Sequence, residues 1–155
     1  MSKPVIEVRV RAIVAISGGC AIFLGNEEKV FVILGDPGVG GAIIMAIAGT
    51  LKERPLTHDL LVSTLQALGA RTETVVLNDL KDDTYFARLV LNVENELQHK
   101  IVEIDARPSD CIALATRQRA PIYVNIDVWN EVEDMTEELQ KLEKKATEES
   151  DGGLA

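Results

Sequence analysis

Apolar and polar positions alternate from Pro4 to Ile16, where Val8, Val10 and Ala12 are interleaved with Glu7, Arg9 and Arg11. That period of two predicts a half-buried strand. Ser17-Gly18-Gly19 then reads as a turn. The short apolar runs Cys20 to Leu24 and Val30 to Leu34, joined by Gly25-Asn26-Glu27-Glu28-Lys29, read as a hairpin, so the first third is an antiparallel meander. Asp36 and Pro37 start a helix that is apolar all round and is therefore expected to be deeply buried, with Gly40, Gly41, Ala46 and Gly49 permitting close packing. A second helix is expected within residues 54 to 69, with Thr57 as N-cap and Gly69 just past its end. Its Leu60, Leu61, Thr64, Leu65 and Leu68 share one face, which is expected to lie on the sheet.

Further along, Thr72 to Leu80 and Thr84 to Val93 are β-rich runs joined by Lys81-Asp82-Asp83, a tight hairpin. Arg88 stands among apolar neighbours in the second run, so a partner carboxylate is expected for it. In the strand that follows, Val102 and Ile104 lie on one face, Glu103 and Asp105 on the other. Ser109 to about Gln118 is an alanine-rich helix, and Pro121 to Asn125 a short strand. From Ile126 onward, Val128, Val132, Met135, Leu139 and Leu142 are spaced four, three, four and three, a heptad seam of about two repeats suited to docking on a neighbour. These elements predict an α+β (mixed α/β) fold: one compact domain with a largely antiparallel or mixed sheet, about three packed helices and a charged C-terminal helix. Its divisions are a body of residues 1 to 126, an acidic amphipathic helix over 127 to 148, and a disordered tail over 149 to 155.

Charge sharpens this picture. The 155-residue chain carries a net charge of −9. Ten acids against three lysines lie in residues 127 to 155, whereas the body is close to neutral. A basic face of the kind nucleic-acid binders display is therefore not evident in composition. Two distant cysteines, Cys20 and Cys111, and two histidines, His58 and His99, give neither a zinc set nor a disulfide framework. The N-terminal segment has no apolar run followed by a small-residue cleavage site, and no apolar run is long enough to span a membrane, so a reduced, cytoplasmic setting is expected. The glycine-rich stretch from Gly35 has neither GxxxxGK nor GxGxxG, since position 43 is Ile43, and no bound nucleotide is expected.

Candidate chemistry gathers at turns. Asp105, Arg107, Ser109 and Asp110 stand where a strand gives way to a helix, and Arg54, Thr57, His58 and Asp59 stand at the start of another. Converging carboxylates from Asp79, Asp105 and Asp110 would hold Mg²⁺ or Mn²⁺, which prefer oxygen ligands and activate water for phosphodiester hydrolysis. His58 has the chemistry of a general acid or base, and Cys111 at a helix start that of a thiolate. Each has an alternative reading: Ser109 and Thr57 as caps, Asp82 and Asp83 as turn residues, Asp110 as a complement to a helix dipole, Asp105 as partner of an arginine, and Cys111 as a small buried side chain.

Three segments, RPLTHDLL at 54 to 61, LNDLKDDTYFARLVL at 77 to 91 and EIDARPSDCIALATRQRAPIYV at 103 to 124, occur in an order that resembles the bifunctional nuclease domain family of bacteria and plants. The resemblance covers roughly residues 5 to 130. It implies a self-associating mixed α/β domain, with a dimer favoured, and a nuclease acting on RNA and DNA, single-stranded or duplex, with low sequence preference; from the lack of a long apolar run, no membrane partner is expected. The family's polar signature falls on Arg54, Thr57, His58, Asp59, Asp79, Lys81, Asp82, Arg88, Asp105, Arg107, Ser109 and Asp110. In the nuclease reading His58, Asp105 and Asp110 are catalytic, Asp79, Asp105 and Asp110 hold the ion, and Arg54, Lys81, Arg88, Arg107 and Ser109 hold substrate. Where relatives usually have a glutamate before the first helix, this chain has Gly40 and Gly41. The competing reading is a non-catalytic oligomeric binding or regulatory protein whose polar corners are structural networks.

Overall fold

The computed structural model describes residues 3 to 50 and 52 to 152. In chain order it contains β1 (Val5–Ile16), β2 (Gly19–Gly25), β3 (Val30–Gly35), α1 (Pro37–Ala48), α2 (Thr57–Ala67), β4 (Ala70–Lys81), β5 (Thr84–Glu94), β6 (His99–Ala106), α3 (Pro108–Gln118), β7 (Ile122–Asn125), α4 (Ile126–Glu131) and α5 (Thr136–Gly152). The strands form one sheet in the order β3-β2-β1-β7-β4-β5-β6. All neighbours are antiparallel except β7 beside β4. The α+β fold read from the sequence is the observed one.

β1 joins the two halves of the sheet. Its residues Val5 to Val8 pair with β7 and its residues Arg9 to Ile16 pair with β2, with a register shift between Val10 and Ala12. Such a bulge bends a strand and increases its twist. The rings of Phe31 on β3 and Tyr85 on β5 lie 5.9 Å apart, although five strand spacings laid flat would separate those strands by about 24 Å. The sheet is therefore strongly curled. α3 packs on its inner side, with Ser109 and Cys111 to Ala115 all buried, and α1 and α2 flank α3. The alanines let the helix approach the buried Val75, Leu77, Ala87 and Leu89 of β4 and β5. The β4–β5 connection is the two-residue turn Asp82-Asp83, both at positive φ (50° and 62°), as a tight hairpin requires.

Several expectations are corrected. α1 is not deeply buried: only Val39, Gly40 and Ile43 are, while Ile44 and Ile47 face solvent. A uniformly apolar sequence carries no information about which face turns inward. α2 meets the core through Val62 and Leu65, leaving Leu60, Leu61 and Leu68 of the expected sheet-facing set exposed. Its N-cap is Leu56, not Thr57, and Gly69 follows it at φ 75°. Arg107, not Ser109, is the N-cap of α3.

Arg88 is exposed, as is Phe86 on the same face of β5, and its cross-strand neighbour is Asp105. The tail is two helices. Met135 N–H donates to the Val30 carbonyl at 2.6 Å, pinning the break between them, and Asp134 accepts from Thr136 N–H at the start of α5. Val128 and Val132 enter the main core, whereas Leu139, Met135 and Leu142 pack on Ala21, Phe23 and Val30 across the sheet. The seam is thus occupied by the chain's own strands. α5 continues through Gly152, and the remainder of the expected disordered tail, 153 to 155, lies outside the described residues. Among the described residues no helix is long and apolar enough to cross a membrane.

Candidate active site

Three helix starts converge on one spot. Pro37 and Pro108 occupy the first turns of α1 and α3, where a missing N–H costs nothing, and each follows an extended polar residue, Asp36 and Arg107. Gly35 makes the approach possible: a Cβ there would stand 2.8 Å from Val39 Cγ1 and 3.0 Å from Ser109 Cβ. As a result Asp36, at the end of β3, comes within reach of the α3 start. The Arg107 guanidinium donates through Nε to Asp110 Oδ2 at 3.0 Å and lies 3.4 Å from Asp36 Oδ2 through a terminal nitrogen. Asp110 uses its other oxygen for His58, with Oδ1 3.0 Å from Nε2. His58 Nδ1 has no hydrogen-bond partner among the described residues.

Beside this cluster lies a second one. Asp59 Oδ1 is 2.6 Å from Arg117, both side chains being mostly buried, while Asp59 Oδ2 accepts the Leu56 N–H at 3.1 Å. Arg117 falls two helical turns after Asp110, so the two residues project from one stripe of α3 toward α2. The Leu56 N–H, with Arg117 and His58 behind it, holds the Asp59 carboxyl below its usual range. Arg107 is driven the other way, its guanidinium held charged by Asp110 first and Asp36 second.

Asp36 and Arg107 of the exposed cluster, but not His58 or Asp110, line a cleft of about 770 Å³ between β3, the start of α3, the β4–β5 hairpin and the α4–α5 connection. Its walls carry Asp36, Arg107 and Ser109 on one side and Asp83, Tyr85, Glu131 and Glu133 on the other. Burial, together with Asp83 and Glu133, pushes the Tyr85 phenol up from its ordinary value. Ser109 is buried at the second position of α3, and its hydroxyl has no hydrogen-bond partner among the described residues. Cys111 is fully buried. Burial and the nearby Asp110 and Asp105 push its thiol up to about 12, so it is a packed side chain and not a thiolate.

The signature residues therefore divide. His58, Asp110, Arg107 and Ser109 meet, with Asp59 adjoining. Asp105 and Arg88 face each other in register on the outer side of the sheet, both exposed. Asp79 and Lys81 pair at 3.3 Å near the hairpin, and Arg54 is exposed in the link before α2. Asp79, Asp105 and Asp110 consequently do not form one ligand set, and among the described residues no three His, Cys, Asp or Glu side chains come together to hold a metal ion. Sequence reasoning missed Asp36 and the Asp59–Arg117 pair. The polar-Pro step at Asp36-Pro37, repeated at Arg107-Pro108, was the available signal for the first, and the seven-residue spacing from Asp110 to Arg117 for the second.

The profile of the bifunctional nuclease domain matches residues 22–137. An uncharacterised protein of Mycobacterium tuberculosis is 37% identical over 83 residues, which is 54% of this chain and 46% of that protein. Bifunctional nuclease 1 of Oryza sativa subsp. japonica is 27% identical over 84 residues, 54% of this chain and 25% of that protein. The matched stretch thus spans less than half the length of either relative.

Proposed function

The chain belongs to the bifunctional nuclease domain family, and on that premise we propose that it is a nuclease hydrolysing phosphodiester bonds of RNA and DNA at the Arg107–Asp110–His58 corner. The observation that carries this reading is the meeting of two distant corners, residues 54 to 59 and 105 to 110, through the Asp110–His58 contact, beside a cleft that Arg107 and Ser109 line. Asp110 orients the His58 ring through Nε2, leaving Nδ1 to exchange a proton with the substrate. Arg107 and the free N–H groups opening α3 receive a phosphate oxygen, and Arg107 exchanges its contact with Asp36 for that phosphate. Because Asp79, Asp105 and Asp110 stand apart, no step is routed through a metal held by those three. The protein works as a homo-oligomer, a dimer being favoured, in a reducing compartment such as the cytoplasm where its two free thiols persist.

The test is cleavage of single-stranded RNA, single-stranded DNA and duplex by purified protein, with Mg²⁺, with Mn²⁺ and with a chelator. His58→Gln and Asp110→Asn should each lower the rate about 100-fold, the usual worth of a positioned acid or base. Wild-type cleavage no faster than that of His58→Gln would sink the reading. The cleft's acidic wall (Asp83, Glu131, Glu133) and the engagement of Arg107 by two carboxylates favour the second reading, a non-catalytic oligomeric binding or regulatory protein. In that case nucleic acid would be neither cut nor bound.

A further inference from the structure

The cleft beside the candidate active site is charged unevenly. Arg107 and the start of α3 form its positive end, and Arg107 is the one basic side chain among the described residues that line it. Ser109, 5% exposed, lines the same end with a hydroxyl that has no hydrogen-bond partner among the described residues. The other wall carries Asp83, Glu131 and Glu133, whose ionised carboxylates only accept hydrogen bonds. Leu80, Val132 and Met135 add apolar surface, and Tyr85 adds a half-buried ring. At about 770 Å³ the space is of the size that holds a small molecule or one nucleotide.

The acidic wall is also held in place. Val132 N–H donates to the Val128 carbonyl at 3.0 Å and Met135 N–H to the Val30 carbonyl at 2.6 Å, so Glu133 stands between two backbone anchors. Phe31 backs the Tyr85 ring, with 5.9 Å between centroids. Burial first, then Asp83 and Glu133, push the Tyr85 phenol up, which sets both carboxylates near that ring.

We propose that the cleft reads the nucleobase beside the scissile phosphate and selects an unpaired guanine, with the phosphate on Arg107 and Ser109, the base against Tyr85 and its Watson–Crick edge on Glu133. The inference rests on the nuclease reading above and names its preferred substrate, a departure from the low sequence preference that the family resemblance implies. Guanine alone among the common bases presents two neighbouring donors, N1–H and the N2 amino group, which match the two oxygens of one carboxylate as a bidentate, charge-assisted pair. On adenine and cytosine the amino donor adjoins a ring-nitrogen acceptor, and on uracil and thymine N3–H stands between two carbonyl acceptors. Each of those turns a lone pair toward the acid. Stacking on an aromatic ring accepts any base, so Tyr85 adds affinity and Glu133 adds the choice. A wall that repels a nucleic-acid backbone suits a single base edge inserted away from it. Because that edge is the one used in pairing, guanine within a duplex is excluded.

The test uses the full chain and single-stranded oligoadenylates carrying one guanosine, inosine, cytidine or uridine at a fixed position. Cleavage beside guanosine should be at least about 10-fold faster than beside adenosine, a factor within reach of one bidentate base contact. Inosine, which keeps N1–H and lacks the amino group, should fall between them. Glu133 is exposed, so Glu133→Gln should fold, and it should bring the guanosine-to-adenosine ratio close to one. That ratio is taken within one preparation and does not depend on how much of the protein is active. Equal cleavage beside all bases, a ratio unchanged in Glu133→Gln, or cleavage of paired guanosine at the unpaired rate overturns the inference and leaves the nuclease reading intact. Cleavage of none overturns the nuclease reading, and titration calorimetry with guanosine and adenosine monophosphates then decides for the cleft alone. Guanosine monophosphate bound at least about 10-fold more tightly, with the difference lost in Glu133→Gln, keeps the base site; equal or absent binding overturns it as well.

Discussion

Two ionic clusters sit side by side on α2 and α3, built from the same residue types yet placed differently in the water. Asp59–Arg117 is mostly buried, short and anchored further by the Leu56 N–H. Arg107–Asp36 is exposed on both partners, longer, and shares its guanidinium with Asp110. A buried pair is costly to break because the survivor is left charged in a poorly hydrated place, whereas an exposed pair is screened and worth little. The first therefore fixes the angle between α2 and α3. The second is free to exchange partners, which a substrate-binding group must do.

The largest effect should come from breaking the buried pair. Arg117→Ala is expected to cost roughly 3 kcal/mol, the low end for an orphaned buried charge, measured by urea unfolding. Unchanged stability would mean the two clusters are not physically distinct. Next in size is the acid response. The folded-state pKa of Asp59 lies below its unfolded value near 3.8, so the pair's contribution is complete above that value and is lost as pH falls through the depressed one. Unfolding midpoints followed from neutral pH downward should show this loss in wild type and not in Asp59→Asn. The smallest effect is expected at Asp36→Asn, under about 0.5 kcal/mol in stability and erased by salt. If instead Asp36→Asn proved as damaging as Arg117→Ala, the exposed cluster would be structural too.

Much of this was legible from the chain. The Asp82-Asp83 turn, the Pro-led helix starts and the alanine-rich α3 followed from local chemistry, since backbone conformation and helix entry depend on residues within one turn of one another. Burial depended on more. Arg88 has apolar neighbours two positions away on each side, but alternation says only that a strand has two faces, and here Arg88 and Phe86 are exposed while Val90 is buried. The leucines of α2 share a stripe, and the curl of the sheet brings α3 under a different one. For the candidate site, both polar-Pro corners were visible as local patterns. Their meeting was not, because it depends on Gly35 and on the packing of α2 against α3, with Asp36 71 positions from Arg107 and His58 52 positions from Asp110.

β7 has only four residues, yet it is the strip that joins β1 to β4. Among the described strands it is also the last in chain order. Until Ile122 to Asn125 leave the ribosome, the meander of β1, β2 and β3 has no edge-to-edge connection with β4, β5 and β6. The cleft spans those two parts, with β3 on one rim and the β4–β5 hairpin on the other. A nascent chain would thus hold the two rims of that cleft unjoined until β7 had emerged, and premature termination before residue 122 would leave a product unable to assemble it.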